Sequence, residues 1–159
     1  MVEVELVEAD IDRDVGVPRM VLRELSGATR LLTIFIGAVE MRAIQLAEEG
    51  HEPPRPMTHD LFRDVLADLG IQLERVVITE LRDSTYFAEL HLSAAGQVRV
   101  VSSRPSDAVA LAVRVGCRIY VAEEVLEEAA TAPPEAGADD VVEQFREFID
   151  RVNPEDFAP

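Results

Sequence analysis

The sequence predicts an α+β fold: a mixed, largely antiparallel sheet with helices packed on it, forming a single compact domain followed by an acidic C-terminal helix. Three observations lead there. Strand-like segments cluster at the N-terminus and again mid-chain, without the regular strand–helix alternation of a parallel α/β fold. Short turn signals such as Ser26-Gly27, Arg82-Asp83-Ser84 and Ala94-Ala95-Gly96 join neighbouring strands into hairpins. Amphipathic helical runs follow each group of strands. The length of 159 residues suits one domain with its own core. The domain is placed at residues 1–128, and an acidic linker with an amphipathic helix at residues 129–159.

Taken in order, Val2, Val4 and Leu6 alternate with Glu3 and Glu5, a half-exposed first strand. A charged turn from Asp10 to Gly16 leads to a second strand through Met20, Val21 and Leu22. Leu31 to Ile36 is apolar on both faces and is read as a central third strand. These three form a meander. Ala38 to Glu49 is a helix stopped by Gly50. The stretch Glu52 to Leu69 changes character part-way. Its prolines impose an extended approach, and Leu61, Phe62, Val65, Leu66 and Leu69 then recur at helical spacing, predicting a stripe turned to the core. Thr58 is the expected N-cap, with Asp60 in the first turn where the helix dipole favours a carboxylate.

Ile71 to Leu81 and Thr85 to Leu92 make a hairpin. Tyr86, Ala88, Leu90 and Leu92 share one face of its second strand, and Thr85, Phe87, Glu89 and His91 the other. Gln97 to Ser102 is a further strand. Arg104-Pro105-Ser106-Asp107 repeats the design of Arg55 to Asp60 ahead of a nearly all-apolar helix reaching Val115. Arg118 to Val121 is a short strand, Ala122 to Ala130 an acidic helix, and Thr131 to Ala138 a linker by composition. The last helix carries a stripe of Val141, Val142, Phe145, Phe148 and Ile149, which needs the body or a partner to cover it.

The net charge is −16, and all 15 basic residues are arginines. Residues 122–159 hold 12 acids against 2 arginines, a net of −10, so the C-terminal part carries most of the imbalance. This is not the basic footprint of a protein that grips nucleic acid by counterion release. The N-terminus has neither the basic nor the apolar region of a signal peptide, and no apolar run is long enough to span a bilayer. A single cysteine, Cys117, cannot form an internal disulfide. These features together predict a cytoplasmic protein.

No phosphate-cradling glycine loop, zinc-spaced Cys/His cluster or nucleophile elbow is present. What stands out is a set of carboxylates and arginines. Glu40 lies in the first turn after Ile36-Gly37, placed there either by the helix dipole or as a ligand or acid–base group. Asp60 and Asp107, beside His59 and Ser106, have the hard oxygen chemistry suited to Mg²⁺ or Mn²⁺ if the fold unites them. Glu89 and His91 are either a solvent-facing pair or part of a site. Arg55 and Arg104, each stiffened by a following proline, either clamp a phosphate or pair with the neighbouring aspartates.

Five segments in order, IGAVEMRAIQLAEEG, PPRPMTHDLFRDVLADLG, RVVITELRDSTYFAEL, RPSDAVALAVR and IYVAEEVL, resemble the bifunctional nuclease domain family from about Val2 to Leu126. The terminal VVEQFREFIDRVNPEDF resembles the tail of bacterial members. Phe35 stands where many members have tryptophan, and Met41 where alanine is common; both departures concern packing. The resemblance implies a compact, commonly oligomeric α+β domain in a family with members that degrade RNA and DNA. Its recurrent polar positions fall here on Glu40, Arg55, His59, Asp60, Asp83, Glu89, Arg104, Ser106 and Asp107.

The expectation is a metal-assisted nuclease acting on RNA and DNA with little sequence preference. Glu40, Asp60, Glu89 and Asp107 would hold Mg²⁺ or Mn²⁺, and His59 would act as general acid or base with Asp60, Asp107 and Glu40 in the catalytic group. Arg55, Arg104 and Ser106 would bind the phosphate. The chain is expected to be a homo-oligomer without a membrane partner. The alternative is a non-enzymatic oligomeric binding or regulatory module, with an anion or partner site at the two Arg-Pro corners.

Overall fold

The computed structural model describes residues 1–132. The expected C-terminal helix and its apolar stripe lie outside the described residues. Within them, seven strands form one mixed sheet and four helices accompany it: β1 (Val2–Ile11), β2 (Pro18–Glu24), β3 (Leu31–Phe35), α1 (Ala38–Glu48), α2 (Thr58–Asp68), β4 (Gln72–Arg82), β5 (Thr85–Ala94), β6 (Gln97–Ser103), α3 (Pro105–Val115), β7 (Arg118–Val121) and α4 (Glu123–Ala129).

The strand order is β3-β2-β1-β7-β4-β5-β6. Two antiparallel meanders, β1 to β3 and β4 to β6, are joined by the four-residue β7, which pairs antiparallel with β1 and parallel with β4. Both meanders follow from short turns. The β5–β6 turn, for instance, puts Ala95 and Gly96 at positive φ, the primed geometry that matches strand twist.

One buried cluster unites one face of the sheet with all four helices: Met20, Leu22, Leu32, Val76, Ile78, Leu90 and Val121 from the strands, Ile44, Leu66, Val109, Val125 and Leu126 from the helices. α3 is the central helix. Residues Ala108 to Ala112 are all buried, in keeping with its nearly all-apolar sequence. The opposite sheet face carries the alternating polar side chains, with Arg23 paired to Glu5 and Arg19 to Glu8.

Three expectations are corrected. β3 is an edge strand and not a central one; its doubly apolar sequence is accounted for because Leu31 exchanges backbone hydrogen bonds with Thr131, which partly covers that edge. The N-cap of α2 is Met57, and Thr58 is already helical; the Asp60 carboxylate accepts the Met57 N–H at 3.0 Å, so the aspartate caps in place of the threonine hydroxyl. The stripe on α2 is mostly outward. Leu66 alone of its five residues is buried, while Leu61, Phe62, Val65 and Leu69 remain exposed.

Candidate active site

The starts of α1, α2 and α3 converge. Each follows an extended residue, Gly37, Met57 or Arg104, and none is capped by that residue's side chain. The first-turn N–H groups are therefore donors facing a common space. That space is a cavity of about 490 Å³ with apolar walls from Ala38, Val39, Ala43 and Met57, and polar groups from Glu40, His59, Arg104 and Asp107.

The polar groups form one network centred on Arg104. Its guanidinium donates Nε to Asp107 Oδ2 at 2.7 Å and Nη2 to Asp107 Oδ1 at 3.1 Å, a bidentate contact. Nη1 lies 2.9 Å from Glu40 Oε1. On the other side, His59 Nε2 is 3.0 Å from Asp107 Oδ1. Burial pushes the Asp107 carboxyl up, but the Arg104 and His59 hydrogen bonds outweigh it and hold the group below the ordinary aspartate range. The two carboxylates in turn hold the Arg104 proton more firmly, Asp107 more than Glu40. Arg104 itself is 65% exposed, while Asp107, Glu40 and His59 are each less than a third exposed. The cation thus lies at the rim and its anionic partners deeper.

Gly37 makes this arrangement possible. A Cβ at that position would overlap Glu40 Oε2. The Glu40 carboxylate folds back over bare backbone, and from there it reaches Arg104.

Of the residues singled out in the sequence, the fold brings together Glu40, His59, Arg104 and Asp107. It directs Asp60 elsewhere: its Oδ1 accepts a 2.6 Å hydrogen bond from Arg114 Nε, with the side chains 13% and 4% exposed. Glu89 lies on the opposite sheet face, 3.4 Å from His91 Nε2. Arg55 is exposed in the connection before α2 and does not line the cavity. Ser106 is buried beside a second cavity of about 340 Å³, which Ser84, Thr85 and Tyr86 also line and which meets the first at Arg104. Gly37 and Arg114 were not singled out in the sequence. A glycine immediately before an acidic first turn was the available signal for the first; nothing local marks the second.

The model of the bifunctional nuclease domain matches residues 20–134, most of the chain. The chain belongs to this family. Two uncharacterized proteins from Mycobacterium tuberculosis strains are 44% identical to it over 165 aligned residues, covering 99% of this chain and 98% of theirs. Bifunctional nuclease 1 of Arabidopsis thaliana is 29% identical over 107 residues, 65% of this chain but 32% of the plant protein. Bifunctional nuclease 2 of the same plant is 30% identical over 105 residues, 64% of this chain and 31% of the relative. The family match thus spans about a third of each plant protein.

Among the described residues, no three of His, Cys, Asp and Glu are grouped closely enough to hold a metal ion, and no helix is long and apolar enough to cross a membrane. Glu40 and Asp107 are nonetheless two carboxylates sharing one cation, and Mg²⁺ is commonly held by one or two carboxylates completed by water and substrate phosphate. The donor set fits that lean form of site. It does not fit the four-carboxylate set expected from the sequence.

Proposed function

We propose that this chain hydrolyses phosphodiester bonds of RNA and DNA with little sequence preference, at the cavity where the three helices begin. The observation that carries the proposal is the His59–Asp107–Arg104–Glu40 network at uncapped helix starts, in a chain of the nuclease domain family. The phosphate has donors waiting in the exposed Arg104 guanidinium and the first-turn N–H groups. With Arg104 turned to the phosphate, Glu40 and Asp107 are the pair that would hold Mg²⁺ or Mn²⁺, whose chemistry there is to offset charge on the phosphate. Asp107 fixes the His59 ring by accepting at Nε2, which leaves Nδ1 to take or give a proton at the scissile ester. Attraction to nucleic acid is then local, because the overall charge of −16 opposes long-range steering.

The same reading makes the chain a homo-oligomer. It also places the protein in a reducing cytoplasm, where a half-buried Cys117 thiol, pushed up to about 11 by burial, stays protonated and inert.

Cleavage of labelled single-stranded RNA and DNA by highly purified protein, with Mg²⁺, Mn²⁺ or EDTA, tests the proposal beside a His59→Ala/Asp107→Asn variant. Metal-dependent cleavage lost in the variant supports it. Equal cleavage by both proteins means contamination, and no cleavage by either overturns it. A second reading draws on the apolar walls at Val39, Ala43 and Met57: a binding module for a small ligand with an anionic group and an apolar body. It gains if neither protein cleaves while such ligands raise the melting temperature of the wild type alone.

A further inference from the structure

The two edges of the sheet are treated differently. At the β3 edge the strand is short, and Leu31 and Thr131 exchange backbone hydrogen bonds at 2.9 and 2.8 Å, so the chain covers part of its own edge. At the β6 edge nothing comparable is found among the described residues. β6 pairs with β5 over seven consecutive residues without a bulge, from Ala94↔Gln97 to Ala88↔Ser103. It contains no proline and one charged residue, Arg99. Val98, Val100 and Val101 are 62%, 51% and 44% exposed, and they lie on both faces of the strand. Edge strands of monomers are normally blunted by charge, proline, bulges or brevity. This one has none of these beyond a single arginine.

We propose that β6 is a homodimer interface in which two copies pair their β6 strands antiparallel about a two-fold axis at Val100, continuing the sheet from one subunit into the next. The hairpin geometry sets which backbone groups are available. With Ala94 and Gln97 closing the two-residue turn as a hydrogen-bonded pair, Leu92↔Arg99 and Leu90↔Val101 repeat that pattern. The N–H and C=O groups of Val98, Val100 and Ser102 therefore point away from β5, toward open solvent. A two-fold axis at Val100 sets these same groups against one another, Val100 to its copy and Val98 to Ser102 of the copy. The whole of Gln97–Ser103 then overlaps. Shifting the axis to Arg99 would face the two arginines directly, which like charge disfavours, and would shorten the overlap. Centred on Val100, each arginine faces Val101 of the copy. The β-branched side chains that β6 exposes become cross-strand neighbours.

Charge selects a second copy as the occupant. Two molecules each carrying −16 repel, and can approach closely only along a surface free of acids. Residues 97–103 contain no acid and one arginine. The pairing is independent of the nuclease reading, because none of these residues lines the candidate active site.

The test is light scattering of the full chain coupled to size exclusion at micromolar concentration, with amide hydrogen exchange read at residues 97–103. The expected result is twice the chain mass, with Val98, Val100 and Ser102 amides exchanging at least tenfold more slowly than in Val100→Lys. That variant should run at the single-chain mass with an unchanged circular dichroism spectrum, since the side chain it replaces is exposed. Ser102→Lys, on the same face nearer the strand end, should weaken the dimer in the same direction. A wild-type chain at the single-chain mass overturns the proposal, including the case in which the three amides are protected within a monomer. An oligomer that survives Val100→Lys overturns it as well.

Discussion

Asp60 and Arg114 are 54 positions apart and nearly buried together, with Arg114 Nε 2.6 Å from Asp60 Oδ1. The second Asp60 oxygen accepts the Met57 N–H, so one carboxylate ties α2 to α3 and also starts α2. A residue expected in the catalytic group is thus placed as a structural link. Removing one partner of a buried pair leaves the other charge uncompensated, at a cost of about 3–5 kcal/mol. Asp60→Ala should lower the melting temperature strongly in calorimetry. Whatever cleavage activity survives should fall only in proportion to the folded fraction.

The same carboxylate gives a pH signature. Burial raises the Asp60 pKa, but Arg114 and the Met57 N–H more than offset it, so the folded value lies below the ordinary 3.8. A depressed pKa contributes stability that is present above the unfolded value and lost as pH falls through the folded one. Asp107 is depressed as well and contributes in the same sense. Urea midpoints measured downward from pH 5 should therefore fall below about pH 4. The fall should be shallower in Asp60→Asn.

At the candidate active site, His59 is argued to move a proton and Asp107 to orient it. His59→Ala should lower kcat for phosphodiester cleavage about 10²-fold or more, in line with loss of a positioned acid–base group. The folded state should persist, because the ring lies beside a cavity and not in the core. Steady-state kinetics with a fluorogenic oligonucleotide, paired with thermal melting, reads both outcomes.

Gly37→Ala tests the reach of Glu40. The backbone there is extended with φ −74°, which alanine adopts without strain, so the effect is steric. The new Cβ would displace the carboxylate oxygen that now occupies its position, drawing Glu40 away from Arg104. Activity should drop in Gly37→Ala and in Glu40→Gln, and the double variant should be no worse than the poorer single one. An additive double variant would show that Gly37 acts otherwise.

The exposed stripe on α2 gives a stability contrast within one helix. Leu66→Ala should cost about 2–5 kcal/mol, as expected for a core leucine. Leu61→Ala, 53% exposed, should change stability by no more than about 0.5–1 kcal/mol. Chemical denaturation of the two variants side by side decides this.

The elements of this fold were largely legible in the sequence, because alternation, turn dipeptides and helical spacing are local signals. Strand order was not. β7 lies between β1 and β4 through pairings such as Val4↔Ile119 and Val76↔Ile119, contacts that no local pattern encodes. The apolar sequence of β3 pointed to the centre of the sheet for the same reason: hydrophobicity reports burial, and an edge strand under Thr131 and α4 is also covered. Leu61, Phe62, Val65 and Leu69 misled in the opposite direction, since helical spacing defines a stripe without saying whether anything covers it. At the site, the repeated Arg-Pro…Asp corners were informative about where chemistry gathers. They were silent on roles: Asp60 and Asp107 occupy similar places in their helices, yet one meets a buried arginine and the other a histidine at a cavity.

The position of β7 has a consequence for the order in which the molecule assembles. Each meander contains only contacts between neighbours in sequence, so each can form while the chain is still being synthesised. The seam between them comes from four residues near the end of the domain. Until Arg118–Val121 emerges, β1 and β4 both present bare inner edges, and a nascent chain holds two half-sheets with nothing to hold them in register. Completion of the domain is therefore a late, single event at its centre. A chain cut short before Arg118 should accumulate as half-sheets prone to pairing with one another between molecules.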